Sequence, residues 1–114
     1  MTGTEEVGVS LVVSTAPDRE TGERIVRRLV EERLIACGNL VPGVASVFRW
    51  EGEVRREDEV LVLMKARTDS LERLFGRVVE LHPYEVPELL SFPVGKGLPA
   101  YCGWVVEETA EVGE

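Results

Sequence analysis

The chain has 114 residues, 44% of them apolar and 30% charged, which is the composition of one globular domain and excludes a disordered or disulfide-rich chain. Its 21 acidic and 13 basic residues give a net charge of −8, so no nucleic-acid partner is expected. No apolar segment approaches the roughly 20 residues of a membrane-spanning helix, and the polar start of the chain is unlike a signal peptide. We therefore predict a cytoplasmic protein with no membrane partner, in which residues 1–114 form a single domain with loose ends at 1–6 and 111–114.

The first half of the chain predicts a strand, a helix and a second, longer strand. Residues 7–14 are β-branched and apolar at successive positions, which is typical of a strand buried on both faces. Asp18 has the position of an N-cap for a helix over about 19–34, where apolar residues follow helical spacing. Residues 37–50 are rich in Val, Phe and Trp and predict the second strand, which Pro42-Gly43 should bend or restart.

The second half predicts a return strand, a second helix and a short strand. Glu51-Gly52 indicates a tight hairpin turn, after which residues 53–64 form the return strand. A helix follows the capping cluster at 68–70 and ends at His82, since proline disfavours helical backbone in the residue before it. Residues 88–94 are flanked by prolines and predict an edge strand.

A last helix should begin at Leu98-Pro99 and complete an α+β, ferredoxin-like fold. Its apolar stripe consists of Tyr101, Trp104 and Val105. The order β-α-β-β-α-β predicts an antiparallel four-stranded sheet with two helices on one face and the first and third strands in the middle. Because residues 11–13 and 60–64 are apolar at successive positions, the other face also needs cover. We expect the last helix to cover part of it and another copy of the chain the rest; the alternative is the last helix alone.

The residues that could carry chemistry are few. The chain has one histidine, His82, and two cysteines, Cys37 and Cys102, which we expect to be free thiols in apolar surroundings. One chain lacks the four ligands of a closed zinc site, but copper is less demanding. His82 is the best candidate ligand, in a loop that Pro83 and Pro87 stiffen, and the alternative is a residue that only ends the helix. With no convincing nucleophile–base pair and no phosphate-binding glycine motif, no enzyme is predicted.

Six segments run in order along the chain and carry a resemblance. They are TAPD (15–18), ERLIAC (32–37), PG (42–43), RWEGE (49–53), HPYEVPE (82–88) and YCGW (101–104). Together, at these spacings, they resemble the CutA family of divalent-cation-tolerance proteins, over nearly the whole chain from about Val9 to Glu108. The resemblance implies a ferredoxin-like domain assembled as a homotrimer. It also implies a cytoplasmic protein linked to tolerance of copper and other divalent cations, with no established enzymatic activity.

The loop and the resemblance together suggest a metal site for copper or another divalent cation, which folding does not require. His82 would be the primary ligand, with Cys37 or Glu88 supplied across a subunit boundary. Some family members bind copper through a cysteine and a histidine at positions where this chain has Ser14 and Leu81.

Two other functions stay open at this point. CutA trimers look like the nitrogen-regulatory PII trimers, which bind nucleotides between subunits, so a small-molecule signalling role would use a cleft between copies. The residues of that cleft would be Trp50, Lys65, Tyr84, Tyr101 and Trp104. The remaining possibility is a scaffold that presents its surface to a protein partner.

Overall fold

A computed structural model describes residues 7–109, so the predicted loose ends at 1–6 and 111–114 lie outside the described residues. The strands are β1 (Val9–Ala16), β2 (Cys37–Trp50), β3 (Glu53–Arg67) and β4 (Leu90–Pro93). The helices are α1 (Arg19–Glu31), α2 (Leu71–Leu81), which follows a 3-10 turn over Thr68–Ser70, and α3 (Pro99–Glu108). All strand pairs are antiparallel, in the order β2-β3-β1-β4. The predicted α+β, ferredoxin-like fold, with β1 and β3 central and β4 at an edge, is confirmed. Within this part of the chain, no helix is long and apolar enough to cross a membrane.

Helix α1 begins where predicted and ends three residues early. The Asp18 carboxylate accepts a hydrogen bond from the Thr21 N–H at 2.7 Å, as expected of an N-cap. The helix ends because Arg33 adopts a left-handed backbone (φ 63°), which turns the chain and lets the Leu34 N–H reach the Leu29 carbonyl at 2.9 Å. This is the Schellman arrangement, which is usually built on glycine, so an arginine at this position does not predict it.

Replacing Asp18 by alanine should destabilise the protein at pH 7, and by less in acid. The Thr21 N–H lowers the pKa of the Asp18 carboxyl below its usual range. The cap's contribution is therefore present above the unfolded pKa, about 3.9, and is lost as the pH falls through the folded value. Thermal unfolding from neutral pH to about pH 3 measures this. Asp18→Asn keeps an uncharged cap and should lose much less stability at neutral pH. A deficit of Asp18→Ala that is equal at every pH contradicts the assignment.

The main core lies between helices α1 and α2 and one face of the sheet. Alternate residues of β1 and β3 point into it, as the two-residue period of a strand requires. Its fully buried members include Val12, Leu29, Met64 and Leu74. Because both helices pack on this face, the opposite face is left to α3 and to whatever else contacts the sheet.

Helix α3 covers only one end of that opposite face. Val105 is fully buried there in a cluster with Val9 and Ala36. The predicted apolar stripe of α3 was wrong in part, because Tyr101 and Trp104 stay about 40% exposed while Cys102 and Val106 pack against the cluster. The other apolar residues on this face are half-buried: Leu11, Val13, Leu61 and Leu63.

Strands β2 and β3 form a hairpin that projects beyond the rest of the sheet. A register shift between Val41 and Val44 confirms the predicted irregularity at Pro42-Gly43. The predicted turn is also confirmed, since Glu51 and Gly52 both have positive φ, 52° and 83°. Strand β1 pairs with β3 only from position 60 onward. Among the strands of residues 7–109, residues 44–59, which we call the projecting hairpin, therefore pair only with one another.

Candidate functional site

His82 is held inside the protein by both of its ring nitrogens. Its side chain is 8% exposed, and Nε2 lies 2.7 Å from the main-chain oxygen of Thr15 in β1. That oxygen can only accept, so Nε2 carries the proton, while Nδ1 accepts the Tyr84 N–H at 3.1 Å. In this state the imidazole is neutral and neither nitrogen is free. It therefore joins the end of α2 to β1 instead of capping the helix with a positive charge.

Tyr84 and Glu59 continue this network, which we call the histidine cluster (Thr15, Glu59, His82 and Tyr84). The Tyr84 hydroxyl donates to a carboxylate oxygen of Glu59 at 2.8 Å, and its ring lies 4.7 Å from the imidazole. Burial raises the pKa of the Tyr84 phenol, and the hydrogen bond to Glu59 raises it further. The phenol therefore stays a donor at neutral pH, and its hydrogen bond gives the buried Glu59 side chain a partner.

A second group of polar side chains lies between the start of β2 and helix α3. Cys37 and Lys65 are direct partners across β2 and β3, so their side chains share a face. The Lys65 ammonium donates to the Cys37 sulfur at 3.5 Å and to the side-chain oxygen of Asn39. The Tyr101 hydroxyl lies 3.8 Å from the same sulfur, and Trp104 packs against the Tyr101 ring at 5.6 Å. Burial raises the pKa of the Tyr101 phenol, as does its contact with Cys37. We call Cys37, Asn39, Lys65, Tyr101 and Trp104 the lysine cluster.

The three predicted metal ligands do not meet within one copy. His82 belongs to the histidine cluster and Cys37 to the lysine cluster, while Glu88 is exposed in the segment before β4. Among residues 7–109, no three Cys, His, Asp or Glu side chains are grouped closely enough to hold a metal ion. The metal set stays a prediction, and it would need donors from more than one copy.

The five predicted cleft residues do not all lie together. Lys65, Tyr101 and Trp104 come together in the lysine cluster, whereas Tyr84 lies in the histidine cluster. Trp50 is at the exposed end of β2, beside the hairpin turn. Sequence reasoning missed Asn39 and Glu59. Only the strand register could have indicated them. It places Asn39 two residues from Cys37 on the same face of β2, and Glu59 directly before the part of β3 that pairs with β1.

Comparison with known proteins gives a consistent result. The family model described as "CutA1 divalent ion tolerance protein" matches residues 10–108. A Thermus thermophilus protein named divalent-cation tolerance protein CutA is 44% identical over 99 residues, which span 87% of this chain and 96% of that protein. The crystal structure of CutA1 from Oryza sativa is similar with a TM-score of 0.89 at 37% identity. The match covers 93% of this chain and 97% of the Oryza sativa chain.

A solved structure from Archaeoglobus fulgidus, titled a periplasmic divalent cation tolerance protein CutA, has a TM-score of 0.86 at 32% identity. It covers 89% of this chain and 98% of that one. The similarity thus extends over nearly all of the described sheet and helices. The chain belongs to the CutA1 divalent ion tolerance family.

Proposed function

We propose that this protein acts in divalent-cation tolerance as a homotrimer, which binds copper or another divalent cation through donors from more than one copy. The observation that carries the proposal is the family match over residues 10–108, and the exposed apolar residues of the sheet support the assembly. The candidate donors lie apart within one copy, so the proposed site needs more than one. The net charge of −8 also attracts cations to the surface, although it selects no particular site.

Apolar side chains at both edges of the sheet support self-association. In the projecting hairpin, Val47 and Val54 are 68% and 66% exposed. At the other edge, β4 presents Leu90 and Phe92, and in the described part of the chain it pairs on one side only, with β1. Sheet edges that lack a neighbouring strand and expose apolar residues favour pairing with another chain. A second copy supplies both kinds of surface, and three copies can close a ring.

The present contacts of the three candidate donors determine what must change before a metal can bind. His82 can ligate a metal only by giving up its bond to Thr15 or to the Tyr84 N–H. Cys37 is half-buried and its sulfur accepts from the Lys65 ammonium, which must move aside before the thiolate can bind a cation, whereas Glu88 is exposed. Thiolate suits Cu(I), and imidazole with carboxylate suits Cu(II), so the set is chemically adequate once copies bring it together.

Native mass spectrometry with and without added copper tests the proposal. We expect a trimer that takes up copper in multiples of three, and less uptake by Cys37→Ser and Glu88→Gln. Glu72→Gln, which removes an exposed carboxylate of α2 outside the donor set, should bind copper like the parent. A trimer that takes up no copper, or binds it equally in all variants, would overturn the metal part; a monomer would overturn the assembly.

The proposed location is the cytoplasm. Cys37 and Cys102 are unpaired, which fits a reducing compartment. Fractionation of cells expressing the chain with a C-terminal tag tests this, and recovery with a periplasmic marker would contradict it.

A second candidate function is small-molecule sensing at the lysine cluster beside α3. The lysine cluster favours it, because three of the five predicted cleft residues meet there around a half-buried lysine. A thermal-shift screen of small acids and nucleotides tests this role, and it fails if no compound changes the midpoint of unfolding.

A further inference from the structure

Lys65 is a half-buried cation that has no carboxylate partner within residues 7–109. Its partners among residues 7–109 are the Cys37 sulfur and the Asn39 side-chain oxygen, and no carboxylate in that part of the chain forms an ion pair with it. The chain has 21 acidic side chains against 13 basic ones, so carboxylates are abundant elsewhere. Most buried charges in proteins are paired. This ammonium is therefore the natural point of attachment for an anion from outside.

An aromatic surface stands beside that ammonium. The Tyr101 hydroxyl and the Lys65 ammonium both contact the Cys37 sulfur. The Trp104 ring packs at a tilt against the Tyr101 ring. Both rings remain about 40% exposed, although α3 has other apolar residues that are buried. Exposed aromatic faces next to a fixed charge are typical of sites that hold flat organic molecules.

The same charge argues against a cation at this place. Cys37 alone would be a good ligand for a soft metal. A Lys65 ammonium 3.5 Å from its sulfur repels any cation that approaches the sulfur. The lysine cluster thus favours an anion, unless Lys65 moves away.

We propose that the lysine cluster binds a small organic carboxylate with a flat apolar body. The carboxylate accepts hydrogen bonds from the Lys65 ammonium and lies within reach of the Tyr101 hydroxyl, and the apolar body packs on Tyr101 and Trp104. Arg67, two residues along β3, holds the Asp69 carboxylate with its guanidinium, so the ligand is assigned to the Lys65 ammonium, which suits a singly charged carboxylate. This proposal rests on the second candidate function above and names its ligand class; it does not depend on metal binding.

Titration with benzoate, followed by NMR of the Trp104 indole N–H, tests the proposal. Benzoate should shift this signal saturably, and benzamide, the uncharged analogue of the same shape, should bind much more weakly. Lys65→Met should weaken benzoate binding about tenfold, as expected for one charge-assisted hydrogen bond, while Lys65→Arg should retain most of it. Lys96→Met removes the same charge from an exposed lysine of the loop before α3, and should bind like the parent.

Three results would overturn the proposal. The first is the absence of any saturable shift with benzoate, and the second is equal binding of benzoate and benzamide. The third is unchanged benzoate binding by a folded Lys65→Met protein. Copper uptake by the same preparations separates the two ideas: a protein that binds copper but not benzoate refutes this site alone.

Discussion

Replacing His82 by alanine should lower the free energy of unfolding by about 2–4 kcal/mol, even with all metal removed. The substitution takes away two hydrogen bonds in the interior, one to the Thr15 carbonyl and one from the Tyr84 N–H. Both main-chain groups then lose a partner in a place that water reaches poorly, and the ring leaves a void between α2 and β1. Urea unfolding in EDTA measures the effect.

Tyr84→Phe is the matched control for this prediction. It keeps the main-chain N–H that His82 accepts and removes only the hydroxyl that donates to Glu59. We expect a smaller loss, about 1–2 kcal/mol. If His82→Ala is as stable as the parent in EDTA and weaker only in copper, the imidazole acts as a ligand and not as a structural link. This is also why the copper experiment relies on Cys37 and Glu88.

Replacing Gly38 by alanine should destabilise the protein by about 1–3 kcal/mol. Alanine normally improves a strand position occupied by glycine. Here its Cβ would lie 2.7 Å and 3.1 Å from the two γ-carbons of Val26. Val26 is buried on α1, and a β-branched side chain in a helix has essentially one rotamer, so it cannot swing aside. The helix itself would have to move from the sheet.

A double-mutant cycle with Val26→Ala checks that mechanism. Val26→Ala alone should destabilise the core by removing two buried carbons, but it also makes room for a Cβ at position 38. The double variant should therefore be more stable than the sum of the two single changes predicts. A stabilising Gly38→Ala, or additive energies in the cycle, would contradict the close packing of α1 on β2.

The order of elements could be predicted because local signals agree with the fold. Asp18 caps α1, Glu51-Gly52 turns the hairpin and the prolines around β4 keep it at an edge, each as expected. The end of α1 was missed because an arginine, Arg33, occupies a backbone conformation that glycine usually marks. The error on α3 has another cause. Two overlapping helical stripes fit its spacing, and only the packing against Val9 and Ala36 selects the one with Val105 and Val106.

The candidate site was predictable only in part, because it depends on contacts between distant segments. The sequence predicts Lys65 and Tyr101 in one cleft, and the two residues do lie in one cluster. Asn39 belongs to that cluster because the register of β2 on β3 brings it within reach of Lys65. Likewise, the proline-rich loop marked Tyr84 as a functional candidate, yet its hydroxyl is used by Glu59. His82 and Tyr84 of the loop therefore form interior contacts in this copy, whereas Glu88 stays exposed.

The projecting hairpin has a consequence for how the chain exchanges its amide protons with water. Two antiparallel strands with neither a third strand nor a core beneath them are marginally stable. Amides within residues 44–59 of a lone copy should therefore exchange through local opening, whereas those at Val12 and Met64 should need global unfolding. A neighbouring copy packed on the hairpin would slow exchange there and leave the central strands unchanged. The ratio of these two exchange rates, measured at decreasing protein concentration, thus reports the fraction of chains that are assembled.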